Sequence, residues 1–170
     1  MSIGKNVGWG VKLISLLLII GGLAGIAMGL WTEIQTLRQL GIHPRPSLAI
    51  LGLFILLFGW CVWTGLALWK GNPRAFTWAK IIFTAQILNF TVPGISFDGF
   101  YTGLRVYVMV SQLAPNIRVG FDVETGIHFL FSDEITNWLF GVNFVAIAAL
   151  SCLLREIPSK SARPDRLGLI

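Results

Sequence analysis

Charged residues are scarce in this chain. Only 12% of its 170 residues are Asp, Glu, Lys or Arg, whereas 55% are hydrophobic. A soluble globular domain carries about 25% charged residues. The mean hydropathy of +0.74 is correspondingly high. Because so little charge cannot cover a water-exposed surface, the composition places the chain among membrane proteins.

Cysteine and histidine are also rare, with two of each. Cys61 and Cys152 lie inside apolar runs, which excludes an extracellular disulfide framework. His43 and His128 lie outside those runs, so an intramembrane haem would lack axial ligands. The sequence contains neither an HExxH motif nor a Ser–His arrangement for proteolysis. It therefore predicts a protein that is not an enzyme and that has no cofactor and no metal.

Long runs without charge are the main feature that the sequence does contain. A helix needs about 20 apolar residues to cross a bilayer. The third run is extended towards the N-terminus, because Asn72 suits an N-cap and Pro73 suits the first helical position. The sequence thus predicts four transmembrane helices, at 13–32, 46–69, 75–97 and 135–154.

The distribution of Lys and Arg predicts the orientation of these helices. Nine of the 13 basic residues lie at the two ends or near the connection at 70–80, and the other four lie on the opposite side. The positive-inside rule then puts both termini in the cytoplasm. Since the basic residues flank apolar runs, we interpret them as topology signals and expect no nucleic-acid partner.

The segment 98–134 has a different pattern. Apolar and polar residues alternate there, with interruptions at Ala114-Pro115-Asn116 and Thr125-Gly126, which is typical of antiparallel strands. We expect a three-stranded meander at about 101–113, 117–124 and 127–132. Its apolar face would be covered by the segment at 31–46, either as a loop or as a short amphipathic helix, and its acidic residues would face water. A fifth membrane helix at 100–114 is the alternative interpretation.

The predicted fold class is therefore an all-α membrane protein. It is a four-transmembrane-helix bundle, N-in and C-in, with a small antiparallel β-meander in the outer loop between helices 3 and 4. The predicted divisions are a cytoplasmic N-terminus at 1–12, TM1 at 13–32, outer loop 1 at 33–45, TM2 at 46–69, a cytoplasmic loop at 70–74, TM3 at 75–97, the outer β-rich loop at 98–134, TM4 at 135–154 and a cytoplasmic tail at 155–170.

Three glycines form the strongest motif in the membrane runs. Gly21, Gly25 and Gly29 recur every four residues, so they share one face of the first helix and allow another backbone to approach closely. This face packs either within the chain or against a partner or second copy.

Polar residues within the predicted helices form a second candidate site. Gln86 and Asn89 share a face of the third helix, and Asn143 lies at a comparable position in the fourth. Polar side chains at membrane depth need partners. These three residues either bond between helices or form a polar site for a lipid or other ligand.

Three functional hypotheses follow from these features. The first is a non-enzymatic accessory or scaffold subunit that binds other membrane proteins, or further copies of itself, through its helices and outer β-loop. The second is a small carrier or binder of a lipid or other apolar molecule. The third is a membrane enzyme that acts on a lipid or headgroup; this enzyme, or a metal site, would use His128 and the acidic residues near it, Asp122, Glu124, Asp133 and Glu134. We expect membrane lipids as partners and a bacterial inner membrane as the location.

Overall fold

The structure is a computed structural model. It describes residues 7–40, 45–111, 116–132, 134 and 136–156, with the backbone alone described at 39–40, 45–48, 50, 98–101, 116 and 124–131. The predicted tail at 157–170 lies outside these residues. The elements are α1 (Trp9–Leu40), α2 (Arg45–Trp69), α3 (Pro73–Ala85), β1 (Leu88–Val92), β2 (Gly94–Ser111), β3 (Asn116–Ser132), β4 (Leu139–Asn143) and α4 (Phe144–Arg155).

Two of the helices are long and apolar enough to cross a membrane. Within the described chain these spans are Trp9–Arg38 in α1 and Leu51–Trp69 in α2. The helices α3 and α4 have 13 and 12 residues. At 1.5 Å per residue they reach about 20 Å and 18 Å, which is less than a hydrocarbon core of about 30 Å. The prediction of an all-α bundle with four spans is therefore wrong.

The third predicted helix is a helix followed by a strand. Its start is confirmed, because the Asn72 side chain accepts a hydrogen bond from the Arg74 backbone N–H at 3.0 Å and Pro73 follows as the first helical residue. The helix α3 ends at Ala85, and the chain continues as β1. The strand is rich in β-branched and aromatic residues, which favour extended backbone. Gly94 then has a φ of 85° and begins β2 directly after Pro93.

The fourth predicted helix also divides into a strand and a helix. The strand β4 comes first, and α4 begins only at Phe144. Asn143 marks the boundary, because its side-chain oxygen accepts hydrogen bonds from the backbone N–H groups of Val145 and Ala146. An asparagine that caps a helix has extended backbone, so the residues before it are free to join a sheet.

The sheet has four antiparallel strands in the order β1-β4-β2-β3. The strand β1 pairs with the start of β2 and with β4, and β4 pairs with the end of β2. These pairings close a ring of three strands, because β2 pairs with β1 through its first residues and with β4 through its last residues. Between these two parts, the register of β2 against β3 shifts between Phe97 and Phe100. The strand β3 pairs with β2 along its whole length, so the predicted second and third strands of the meander are one strand. The alternative of a helix at 100–114 is excluded, because β2 occupies most of that segment.

The hydrophobic core is built by all four helices. Its buried residues include Leu18 of α1, Leu68 of α2, Ile82 of α3 and Leu153 of α4. The start of α1 lies beside the end of α4, since a Cβ atom at Gly8 would contact the Glu156 side chain. Both described ends of the chain are thus at the same end of the helical layer.

The sheet is oriented opposite to the prediction. Its apolar face is exposed, with Val119 at 74% and Val123 at 73%, and its polar face carries the buried Arg105. Residues 31–40, which were predicted to belong to a covering loop, are the last part of α1. Alternation identified the apolar face correctly, but the polar face is the one that packs inwards.

Candidate functional site

Five polar residues are buried between the helices and the sheet, and each is at most 6% exposed. We call them the buried polar cluster: Gln86, Asn89, Thr102, Arg105 and Asn143. They come from the end of α3, from β1, from β2 and from the end of β4. The three residues predicted as an intramembrane polar site, Gln86, Asn89 and Asn143, all belong to it. Burying polar groups is unfavourable unless they are hydrogen-bonded, so the partners of each determine what the cluster can do.

Gln86 and Thr102 connect α3 to the sheet. The Gln86 Nε2 donates to the Thr102 Oγ1 at 2.9 Å, and Gln86 is also the C-cap of α3. The backbone of Thr102 packs on Gly21 of α1, so closely that a Cβ atom at Gly21 would overlap the Thr102 carbonyl. Because Gly21 lies well inside the first candidate span, this contact sets the sheet beside that span.

Arg105 is the buried cation of the cluster. Its Nε and Nη2 donate to the two carboxylate oxygens of Asp122, at 3.0 and 2.9 Å. The two residues are cross-strand partners in the β2–β3 ladder. The guanidinium also lies 4.4 Å from the centre of the Tyr107 ring. A bidentate pair with ring stacking is the geometry for which arginine is suited, and it satisfies a charge that burial would otherwise destabilise.

Asn89 has a buried amide without a partner. It is 1% exposed, and neither its Nδ2 nor its Oδ1 makes a hydrogen bond within the described part of the chain. It lies opposite Gly141 of β4, where a Cβ atom would be 3.2 Å from the Asn89 Nδ2. An unsatisfied buried amide costs roughly 1–3 kcal/mol. Asn89 thus carries a donor group and an acceptor whose cost of burial nothing in the described part of the chain offsets.

Asn143 has a structural role within the cluster. Its side chain caps α4, and its backbone N–H donates to the Ile87 carbonyl at 2.9 Å. It thus joins the sheet to the start of α4 and to the turn after α3. Since its acceptor oxygen is already used twice, Asn143 has less capacity for a ligand than Asn89.

The three predicted packing glycines contact different parts of the chain. Gly21 packs on β2, as described above, whereas Gly25 packs on the Phe58 ring of α2. A Cβ atom at Gly29 would meet Leu51 and Phe54 at ordinary contact distances of 3.6 Å. The neighbouring Gly22 approaches the Phe58 backbone and Val62. This ridge therefore packs within the chain, against one helix and one strand.

A large apolar area lies on the outer face of the sheet. We call it the apolar sheet surface and define it by eight exposed residues: Leu88, Leu104, Val110, Ile117, Val119, Phe121, Val123 and Phe140. The strand register places them on one face, with Leu104 opposite Val123 and Val110 opposite both Ile117 and Phe140. Contiguous exposed apolar areas of this kind mark protein–protein or membrane contacts.

The described residues contain no group of three or more His, Cys, Asp and Glu side chains that could hold a metal ion. Of the residues named in the third hypothesis, Asp122 faces inwards and bonds to Arg105. Asp133 lies outside the described residues, as do the side chains of Glu124 and His128.

Thr102 and Arg105 were not predicted from the sequence as members of a site, and Asp122 was named only among the acidic residues near His128. Arg105 and Asp122 had a partial signal, because alternation places each on the polar face of its strand. The predicted interruption at Ala114-Pro115-Asn116 would have paired Arg105 with Thr125, and only the observed register pairs it with Asp122. Thr102 had no such signal, since its partner Gln86 comes from a segment that was predicted to be a membrane helix.

Comparisons of the chain with family models, with curated proteins and with solved structures gave no match.

Proposed function

We propose that this chain is a non-enzymatic integral membrane accessory subunit that binds other membrane proteins chiefly through the apolar sheet surface. The observation that carries the proposal is the inverted sheet, in which apolar side chains point outwards and the buried polar cluster points inwards. In water this arrangement would expose a large apolar area at considerable cost. Beside lipid or another membrane protein the same face is favourable.

The two long helices support a membrane location. Only 33% of the first span and 28% of the second are buried within the chain. A core helix of a soluble protein is mostly buried, whereas these helices keep apolar side chains such as Ile20 and Leu56 exposed, at 63% and 72%. We propose that both cross the bilayer and that lipid surrounds their exposed faces.

The position of the sheet supports the same proposal. The contact between Gly21 and Thr102 sets β2 beside the span of α1. If α1 crosses the bilayer as proposed, this part of the sheet would lie at the depth of the hydrocarbon core. Polar groups at that depth must be satisfied inside the protein. An apolar outer face with a polar inner face keeps polar side chains away from lipid, which gives the inverted sheet a physical reason.

We further propose that both termini are cytoplasmic and that the membrane is a bacterial inner membrane. The start of α1, the end of α2, the start of α3 and the end of α4 carry the basic residues Lys12, Lys70, Arg74 and Arg155. The positive-inside rule favours the cytoplasm for an end that concentrates Lys and Arg.

Native mass spectrometry of the tagged chain, extracted from its own membrane in mild detergent, tests the accessory role. We expect a reproducible complex whose mass is not a whole-number multiple of the mass of this chain. The double variant Val119→Ser/Phe121→Ser should lose the additional protein, because it removes two apolar side chains that are 74% and 70% exposed.

The matched control is Leu56→Ser on α2, which also replaces an exposed apolar side chain by serine. The complex should survive this change if the sheet is the main contact. A wild-type chain that carries no other protein would refute the accessory role. Equal loss in both variants would refute the assignment of binding to the sheet.

A second candidate function is the binding of a lipid or other apolar molecule that has a polar group. The unpartnered amide of Asn89 favours it, because a ligand with one acceptor and one donor would satisfy both of its buried atoms. Gln86 and Asn143 lie in the same cluster, although their side chains already have partners.

Whether the purified chain retains a small molecule distinguishes this candidate from the accessory role. The same spectra should show a small additional mass on the chain, and Asn89→Val should remove that mass while leaving any protein partner in place. Asn137→Val is the control, since Asn137 is exposed. A chain without bound small molecules, or one that retains them in Asn89→Val, would eliminate the ligand site.

A further inference from the structure

The strand β3 has one unpaired edge. Within the described residues it pairs with β2 alone, whereas β1 and β4 each have two strand partners and β2 has three. Its 17 residues therefore leave a row of backbone N–H and C=O groups without strand partners on the far side. Such an edge is a template for pairing with another chain, and within a bilayer it would be especially unfavourable if left open.

Proteins usually protect a long edge strand, and β3 lacks two of the common devices, proline and lysine. Its sequence from Asn116 to Ser132 contains no proline and no lysine. The register shift of the hairpin arises at Phe97 and Phe100 of β2, near the far end of β3, and the stretch 117–123 pairs with β2 without interruption. This stretch is also the most exposed part of the apolar sheet surface, with Ile117 at 69% and Phe121 at 70%.

The stretch 117–123 is complementary to itself in the antiparallel direction. It reads Ile-Arg-Val-Gly-Phe-Asp-Val, with Gly120 at its centre. Pairing two copies about Gly120 places Arg118 of each copy opposite Asp122 of the other. It also places Val119 opposite Phe121 and Ile117 opposite Val123 on the apolar face. Opposite charges and apolar side chains that face each other across strands are the pairs that stabilise a sheet.

The charged residues of this stretch are available for such a contact. Arg118 is exposed, and the Asp122 side chain is 35% exposed while it accepts from Arg105. A carboxylate has about four acceptor positions, so Asp122 can bind a second guanidinium. Gly120 faces the Tyr107 ring on the inner side of the sheet, where a Cβ atom would overlap that ring.

We infer that the chain forms a homodimer in which the β3 strands of two copies pair antiparallel about a two-fold axis at Gly120. The pairing joins the two sheets and continues the apolar sheet surface across both copies. Because each copy contributes the same strand edge to the pairing, the association is isologous and closes at two copies. The inference concerns a strand edge and stands apart from the proposed accessory function.

Cysteine cross-linking in native membranes tests the dimer and its register. Two differently tagged copies, one with Ile117→Cys and one with Val123→Cys, are expressed together after Cys61 and Cys152 have been replaced by alanine. The proposed register makes the two new cysteines direct cross-strand neighbours, at a Cα separation of about 5 Å that permits a disulfide. We expect mild oxidation to convert most of the mixed pairs to a species of twice the chain mass, which a reductant reverses.

Val123→Cys expressed alone is the matched control. In the proposed register its two cysteines lie about 20 Å apart along the strands, so we expect at least a tenfold lower yield than for the mixed pair. Equal yields would indicate random collision and would overturn the inference, as would the absence of cross-linking in the mixed pair. Efficient cross-linking of Val123→Cys alone would overturn the two-fold axis at Gly120. Each outcome is independent of whether other proteins co-purify with the chain.

Discussion

Arg105 of β2 lies directly opposite Asp122 of β3, and its guanidinium donates to both oxygens of that carboxylate from the buried face of the sheet. The pair explains how an apolar chain tolerates a cation that is only 4% exposed. It also ties the two strands of the hairpin together on the side that packs towards the helices.

Removing one member of this pair should destabilise the chain. Asp122→Leu leaves a buried guanidinium without its carboxylate, which costs about 3–5 kcal/mol in fully buried pairs and on the order of 2 kcal/mol here, because Asp122 is partly exposed. Unfolding in detergent, followed by tryptophan fluorescence, measures the loss.

The double variant Arg105→Met/Asp122→Leu is the control for that experiment. It removes both charges, so we expect it to recover most of the stability lost in Asp122→Leu. If the double variant were as unstable as the single one, lost packing and not the unpaired charge would be responsible.

Substitutions in the glycine ridge should differ in a defined order. Gly21→Ala forces a methyl group against the Thr102 backbone, which cannot rotate away, and should cost about 1–3 kcal/mol or more. Gly25→Ala meets the Phe58 ring, which can shift, and Gly29→Ala makes ordinary contacts. Thermal unfolding in detergent should therefore rank the loss as Gly21 first, Gly25 second and Gly29 last.

Gly59→Ala is the matched control, because a Cβ atom at Gly59 would meet nothing within 4 Å. It should leave the unfolding temperature unchanged or raise it slightly, since alanine favours helix over glycine. If Gly21→Ala behaved like Gly59→Ala, the close contact between α1 and β2 would be absent.

Asn89→Val should stabilise the ligand-free chain. The substitution removes two buried polar atoms that lack partners, and valine suits a strand, so we expect a gain of roughly 1–2 kcal/mol in the free energy of unfolding. Chemical denaturation of delipidated protein measures it, with Asn137→Val as an exposed control. A loss of stability would mean that the amide has a partner in the folded chain.

Removing the cap of α4 should lower the stability of the chain modestly, and another capping residue should restore it. Asn143→Ala removes the acceptor for the N–H groups of Val145 and Ala146, which should cost about 0.5–2 kcal/mol. Hydrogen exchange should accelerate at the first turn of α4. Asn143→Ser should restore protection, because serine also caps helices, and a failure to do so would assign the effect to other contacts of Asn143.

Topology can be measured directly with reporters at the C-terminus. A fluorescent-protein fusion there should fluoresce, because the basic residues near the ends of α2 and α4 favour the cytoplasm. An alkaline phosphatase fusion at the same site should be inactive. The reverse pattern would contradict the proposed orientation of α4.

Local chemistry in the sequence determined several features of this protein. The charge-free runs identified α1 and α2, because crossing a membrane requires length and apolarity that a sequence displays directly. The start of α3 followed from Asn72 and Pro73, and alternation correctly indicated strands on both sides of the turn before Asn116. The sequence also grouped Gln86, Asn89 and Asn143 as a candidate polar site, although on helices and not beside a sheet.

Only the tertiary structure decided which face of the sheet is buried and where two of the helices stop. Period-two alternation shows that one face is apolar, but it does not show whether that face meets the core or the surroundings. Residues 88–92 and 139–143 lie in segments that are apolar enough for membrane helices, yet they form strands because each has a partner strand to satisfy its backbone. Strand pairing joins residues that are far apart in the chain, such as Asn89 and Gly141, so no local sequence pattern predicts it.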